Sequence, residues 1–164
     1  MLTAMSYNIC SGRNFRRERD IEFAASVIRE LAPDIVGVNE VRQRAADAGF
    51  QEQARLLGEA TGMHFAFGRS IDIAGGEYGN ALLSRYPIRR SEVIHIPDAP
   101  ERVGRQLFEH RSLFRNVVDA GGRSITVLVS HYGLSAEEQR EAVSATLRQL
   151  AQEFDPVVFM GDLN

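Results

Sequence analysis

Carboxylates, carboxamides and one imidazole recur at the same relative place in this sequence, directly after short apolar runs. Leu2 to Ile9 carries Asn8 near its end, and Ile35 to Val41 (IVGVNEV) carries Asn39 and Glu40. Ile125 to Ser130 is followed by His131, and Val157 to Met160 leads into Asp162 and Asn164. In open α/β sheets ligands bind beyond the carboxyl ends of the strands, because the loops there vary freely on a rigid base. Side chains of this kind suit a hard cation. Mg²⁺ takes oxygen ligands in octahedral geometry, keeps several waters and needs only one or two protein carboxylates beside substrate phosphate oxygens. Glu40 and Asn8 can serve as its protein ligands, with Mn²⁺ as the alternative ion. A phosphoester is the natural partner, since such a metal polarises a phosphoryl oxygen and stabilises the charge that develops as water attacks. Asp162 is then suited to orient or deprotonate that water, and Asn164 and His131 to hydrogen-bond the phosphoryl oxygens.

Taken singly, each residue also has a plainer reading. Asn8 suits a turn after a strand, Glu40 a solvated strand end, Asp162 and Asn164 a turn cap, and His131 a hydrogen-bonded structural position. Recurrence at four strand ends is what argues for chemistry. The run RNFRRER from Arg13 to Arg19 could grip a phosphate backbone with Phe15 stacking on a base, but Glu18 and Asp20 interrupt the charge, which favours a solvated loop and helix start. His64, His95 and His110 have no metal spacing, and Gly75, Gly76 and Gly79 lack the context and Lys of a phosphate-binding loop.

The elements that must position these residues alternate. A strand over Leu2 to Ile9, an amphipathic helix over Arg16 to Leu31 stopped by Pro33, and a buried strand over Ile35 to Val41 predict a βαβ unit. A second helical face runs from Phe50 to Thr61 and ends at Gly62, followed by a strand over Met63 to Phe67 and a loop over Ser70 to Glu77. Runs at Ala81 to Leu83, Val93 to Ile96, Leu113 to Val118 and Ile125 to Ser130 read as an antiparallel meander, with a hairpin at Gly121-Gly122. Ser135 and Glu138 form a capping-box pattern before a helix whose face is lined by Val143, Leu147, Leu150 and Phe154, and Pro156 precedes the last strand.

Composition bounds the answer. A length of 164 residues, 44% hydrophobic and 25% charged, fits a single globular α/β domain over 1–164 and excludes disordered, collagen-like and coiled-coil chains. The net charge of −3 and pI near 5.8 weaken a strongly basic nucleic-acid scaffold. Cys10, the only cysteine, excludes an intrachain disulfide, and no apolar run approaches a transmembrane segment. The N-terminus lacks a secretory pattern, and the chain reads as cytoplasmic.

YNICSG (Tyr7 to Gly12), DIVGVNEV (Asp34 to Val41), YGNALLSRYPI (Tyr78 to Ile88), VSHYGL (Val129 to Leu134) and VVFMGDLN (Val157 to Asn164) stand in the order and context of the endonuclease/exonuclease/phosphatase superfamily, which the chain resembles over its whole length. The resemblance implies a four-layer α/β sandwich, two mixed β-sheets face to face with helices outside. It implies a metal-dependent hydrolase, with Asn8 beside the metal, Glu40 as metal ligand, Asp162 on the nucleophile, and Asn164 and His131 at the phosphate. Arg111, in EHRSLFRNVV, is similar to a segment near the substrate in bacterial members and is a candidate phosphate contact. The substrate class stays open between nucleic acid, phospholipid headgroup and inositol phosphate. Two departures stand out. Asn39 occupies a place where the family usually has Gln, one methylene longer, so the hydrogen bond of that amide is expected to shift modestly. The family's later-strand Asp and Ser-Asp-His motif have no counterpart here, so the fold is expected to be incomplete at the C-terminus. The alternative reading is an inert fragment that binds metal or forms a homo-oligomer through its unfinished sheet.

Overall fold

The parallel pair expected from the first apolar runs forms as β1 (Ala4–Asn8) and β2 (Ile35–Gln43), joined by helix α1 (Ile21–Leu31). These elements belong to a computed structural model that describes residues 2–99 and 109–164. Helix α1 starts at Ile21 rather than Arg16 because Asp20 caps it, accepting from the Phe23 amide at 3.0 Å. The residues before it are turned away from helix by Asn14, whose Oδ1 accepts from the amides of Arg16 and Glu18. Ala32 closes the helix in the left-handed region at φ 48°.

Helix α2 (Gln53–Thr61), strands β3 (His64–Ile73) and β4 (Gly76–Ser84) follow, and the first sheet has the order β1-β2-β4-β3. The loop expected over Ser70 to Glu77 is instead a long hairpin. Only Ala74 and Gly75 lie between the strands, both at positive φ (50° and 73°), the conformation that a two-residue hairpin turn matching strand twist requires. The expected meander is likewise split. Strand β4 does not pair with β5 (Ile88–His95); the chain passes to a second sheet, ordered β5-β6-β7-β8, with β6 at Ser112–Asp119, β7 at Ser124–His131 and β8 at Val157–Asp162. Helix α3 (Ala136–Leu150) bridges the parallel pair β7 and β8.

Alternation along β2 decides the layering. Val36, Val38 and Val41 pack with Ala24, Ala25 and Ile28 of α1 and Ala54 and Leu57 of α2, while Ile35 joins Leu82, Phe114, Val118, Val127, Val129 and Met160 between the sheets. Phe114 reaches the first sheet because Gly68 has no side chain; a Cβ there would lie 2.3 Å from the ring. With α1 and α2 outside one sheet and α3 outside the other, the molecule is the four-layer α/β sandwich that the motifs implied. No helix among the described residues is long and apolar enough to cross a membrane.

Helix α3 corrects one reading. Its capping box is present, Ser135 accepting from the Glu138 amide and Glu138 from the Ser135 amide, but its buried face carries Ala142, Ala145 and Thr146. Val143 and Leu147, assigned to that face, are exposed, as is Phe154. Small residues let the helix approach the sheet, and Arg115 then fastens the segment beyond it through a two-pronged ion pair to Glu153 at 2.6 and 2.7 Å. That pairing holds the Glu153 carboxyl down at about 2. Phe114→Ala should therefore cost about 3–5 kcal/mol in denaturant unfolding. Val143→Ser should stay within about 0.5 kcal/mol, which separates the observed helix face from the expected one.

Candidate active site

Glu40 owes its position to an interrupted ladder. The pairing of β2 with β4 shifts between Val38 and Val41, and Glu40 takes a left-handed φ of 59°. A bulge of this kind adds a residue and re-aims a side chain. Here it returns Val41 to the helix-facing core and leaves Glu40 at the end of the sandwich, beside β1. The parallel registers do the rest: Asn8 lies opposite Asn39, and His131 lies opposite Asp162.

Asn8 joins the two sheets' carboxylates. Its Nδ2 donates to Glu40 Oε1 and to Asp162 Oδ2, both at 2.9 Å, while its Oδ1 accepts from the Cys10 amide. The amide oxygen of Asn8 thus accepts from the backbone while its nitrogen holds Glu40 and Asp162. Glu40 Oε2 has no hydrogen bond to another described residue, so Glu40 retains the carboxylate oxygen a hard cation takes.

Below them, Asn39 is fully buried and has every polar group engaged. Its Nδ2 donates to Asn80 Oδ1 at 2.8 Å and to the Ser130 carbonyl at 2.9 Å, and its Oδ1 accepts from the Asp162 amide at 2.9 Å. The short Asn39 side chain thus has both its donor and its acceptor engaged.

Electrostatics distinguish the titratable groups. Hydrogen bonds from Asn8 and the Asn164 amide, together with His131 and Arg111, hold the Asp162 carboxyl below its ordinary value against the opposing effect of burial. Burial, reinforced by the positive charge of Arg111, pushes the His131 imidazole below 6.5. His131 Nε2 stands 3.9 Å from Asp162 Oδ2, near enough to feel its charge and too far for a hydrogen bond, and its buried Nδ1 has no partner among the described residues. Arg111 pairs with Glu109 at 3.1 Å and keeps its buried Nε unpartnered among the described residues. Unpaired donors and acceptors at such depth ordinarily await a ligand or water.

The structure brings Asn8, Glu40, His131 and Asp162 together, with Arg111 in electrostatic reach. Asn164 stands at the margin, its Nδ2 donating to the Tyr132 carbonyl at 2.7 Å and its amide to Asp162 Oδ1 at 3.1 Å. Sequence reasoning missed Asn80 and Tyr78. Tyr78 is buried under the Arg42 guanidinium, 4.5 Å from its ring centroid, and burial with the charges of Glu40 and Glu109 pushes its hydroxyl up. The YGN triplet held that signal, since Tyr78 and Asn80 flank Gly79 in a motif used only for the family resemblance. Among the described residues no three His, Cys, Asp or Glu side chains cluster to hold a metal. A site built wholly of protein ligands does not fit; one carboxylate with waters and substrate oxygens does.

The two shifts share a sign. A histidine kept neutral in the fold, and a carboxylate kept ionised, both leave the unfolded chain binding more protons, so stability falls as pH falls. The His131 contribution is present above 6.5 and is lost between 6.5 and its depressed native value, and that of Asp162 is lost below 3.8. Thermal unfolding across pH should show the upper loss flattened in His131→Asn and the lower one in Asp162→Asn.

A sequence profile of the Endonuclease/Exonuclease/phosphatase family matches residues 5–164. The uncharacterized protein YbhP of Escherichia coli K12 is 29% identical over 165 residues, covering 92% of this chain and 61% of its own length. The chain thus spans about 61% of the curated relatives it matches. The crystal structure of an endonuclease/exonuclease/phosphatase from Beutenbergia cavernae superposes with a TM-score of 0.78 at 28% identity, covering 99% of this chain and 47% of that one. Mannosyl-6-phosphatase Bt3783 of Bacteroides thetaiotaomicron superposes at 0.72 with 19% identity, covering 100% and 66%. The profile match, spanning strand-end polar residues that converge on Asn8, makes this chain a member of the endonuclease/exonuclease/phosphatase family.

Proposed function

We propose that the site hydrolyses phosphodiester or phosphomonoester bonds by attack of water, assisted by Mg²⁺, with Mn²⁺ as the alternative ion. The observation that carries this reading is the convergence of Glu40 and Asp162, from two different sheets, on the single amide nitrogen of Asn8. Family membership supports a phosphoester as the substrate, and the Bacteroides relative is itself a phosphatase.

Glu40 holds the cation, and Asn8 sits beside it, fixing the carboxylate's orientation. When bound, the ion polarises a phosphoryl oxygen and offsets developing negative charge. Asp162, ionised at neutral pH, orients the water through its carboxylate. Its low pKa makes it a better orienting group than a strong base. Neutral His131 and the second amide hydrogen of Asn164 hydrogen-bond phosphoryl oxygens, and Arg111 supplies fixed positive charge from a buried position.

Slow release of nitrophenolate from an aryl phosphodiester should require Mg²⁺ and be abolished by EDTA. Glu40→Gln should lower the rate about 10²-fold or more, and Asp162→Asn by about 10²–10⁴-fold. Turnover indifferent to the chelator and to both substitutions would overturn the proposal. Self-association is the second reading, supported by the exposed Val143 and Leu147 on α3 and by β8 as an edge strand. A monomer in light scattering that turns over substrate would refute it.

A further inference from the structure

The Arg13–Arg19 run leaves the site directly, following the loop that starts at Asn8. Its acidic interruptions bond to Asn14 of the loop itself rather than to the arginines. Glu18 Oε2 accepts from Asn14 Nδ2 at 3.2 Å, and Asp20 caps α1 while also accepting from Asn14 at 3.3 Å. Neither carboxylate pairs with an arginine of the run among the described residues. Several arginines elsewhere do meet one: Arg29, Arg42, Arg55, Arg69, Arg89 and Arg115 each pair with a carboxylate. Arg13 donates to the Arg17 carbonyl at 3.1 Å, and within the run Arg16, Arg17 and Arg19 have no carboxylate partner among the described residues.

At the tip, Phe15 is 77% exposed. It is held in place: Phe23 meets it edge-on at 6.0 Å between centroids, and the Arg16 guanidinium lies 5.4 Å from its centroid. The base of the loop is pinned to β2, the strand that carries Glu40, and to the start of α2. Arg42 Nε donates to Ser11 Oγ at 3.2 Å, and Gln53 Nε2 to the Ser11 carbonyl at 2.8 Å.

We propose that this loop is a nucleic-acid grip, in which Phe15 stacks on an unpaired base and Arg16, Arg17 and Arg19 neutralise the neighbouring phosphates. Pre-set aromatic rings flanked by free cations bind single strands in this way, because every base has a π-face and every linkage a charge. A duplex offers its phosphates but keeps its bases stacked. The inference rests on the phosphoesterase reading and deepens it, naming a single-stranded nucleic acid as the polymer whose linkage reaches Glu40 and Asp162.

The test is fluorescence anisotropy of a fluorescein-labelled oligothymidylate of about twelve nucleotides with EDTA present, so that no cleavage occurs. The intact protein should bind the strand more tightly than a hairpin duplex of equal length. Phe15→Ala should weaken binding roughly tenfold and Phe15→Trp restore it. Arg16→Ala with Arg17→Ala should flatten the logarithmic salt dependence by about 0.7 per arginine. Hydrolysis of a small aryl phosphodiester should be unchanged in Phe15→Ala. Equal or tighter duplex binding, capture by phosphatidylserine/phosphatidylcholine vesicles in place of the oligonucleotide, or indifference to the Phe15 and arginine changes would overturn it. Glu40→Gln separates the two proposals: it should abolish turnover and leave oligonucleotide binding intact, so a failed hydrolysis assay leaves the binding result to stand or fall alone.

Discussion

A buried amide ties the two sheets together at the end where the polar side chains meet. Asn39 reaches Asn80 within its own sheet, and the Ser130 carbonyl and Asp162 amide in the other. Each of these groups lies where water cannot replace a lost partner, and leaving one unsatisfied costs about 1–3 kcal/mol. The geometry of Glu40 and Asp162 follows from this joint, since one is the next residue on β2 and the other hangs from the bonded amide. Met160, two residues before Asp162, packs into the intersheet core and carries the same constraint into the apolar layer.

Above the joint, the site is built from opposed demands. Two carboxylates drawn together repel, and Asn8 offsets that by donating to both. Burial, aided by the charge of Arg111, keeps His131 neutral, and the Asn8 hydrogen bond, with Arg111 adding to it, keeps Asp162 ionised. The result sets an ionised Asp162 beside a neutral imidazole, two states fixed by environment. The bulge at Glu40 is the backbone's contribution, because regular alternation would have sent that side chain toward the helices.

Much of this was legible in the sequence. The βαβ unit, the capping box at Ser135 and the four polar strand ends all follow from local periodicity and turn chemistry. The failures are informative in kind. The split of the strands into two sheets could not be read from Ala81 to Ile96, because a chain passing between sheets and a chain turning a hairpin both need a short polar link. The α3 face was misassigned because large apolar residues were taken as buried, whereas close approach to the sheet selected Ala142 and Ala145. Asn39 was noted as a strand-end amide, but nothing local tells that its three partners come from across the sandwich. The Arg13–Arg19 run was discounted because Glu18 and Asp20 interrupt it, and nothing local tells that both accept from Asn14.

The central claim is that strand ends of two sheets assemble one cation-assisted centre around Asn8. Titrating the isotope-labelled protein with Mn²⁺ and following backbone amide signals by NMR tests it most directly, because paramagnetic broadening marks the residues nearest the ion. The account predicts early, saturable broadening at Asn8, Glu40, His131 and Asp162, relieved by excess Mg²⁺ and absent in Glu40→Gln. Broadening scattered over exposed carboxylates, or undiminished by Glu40→Gln, would contradict it.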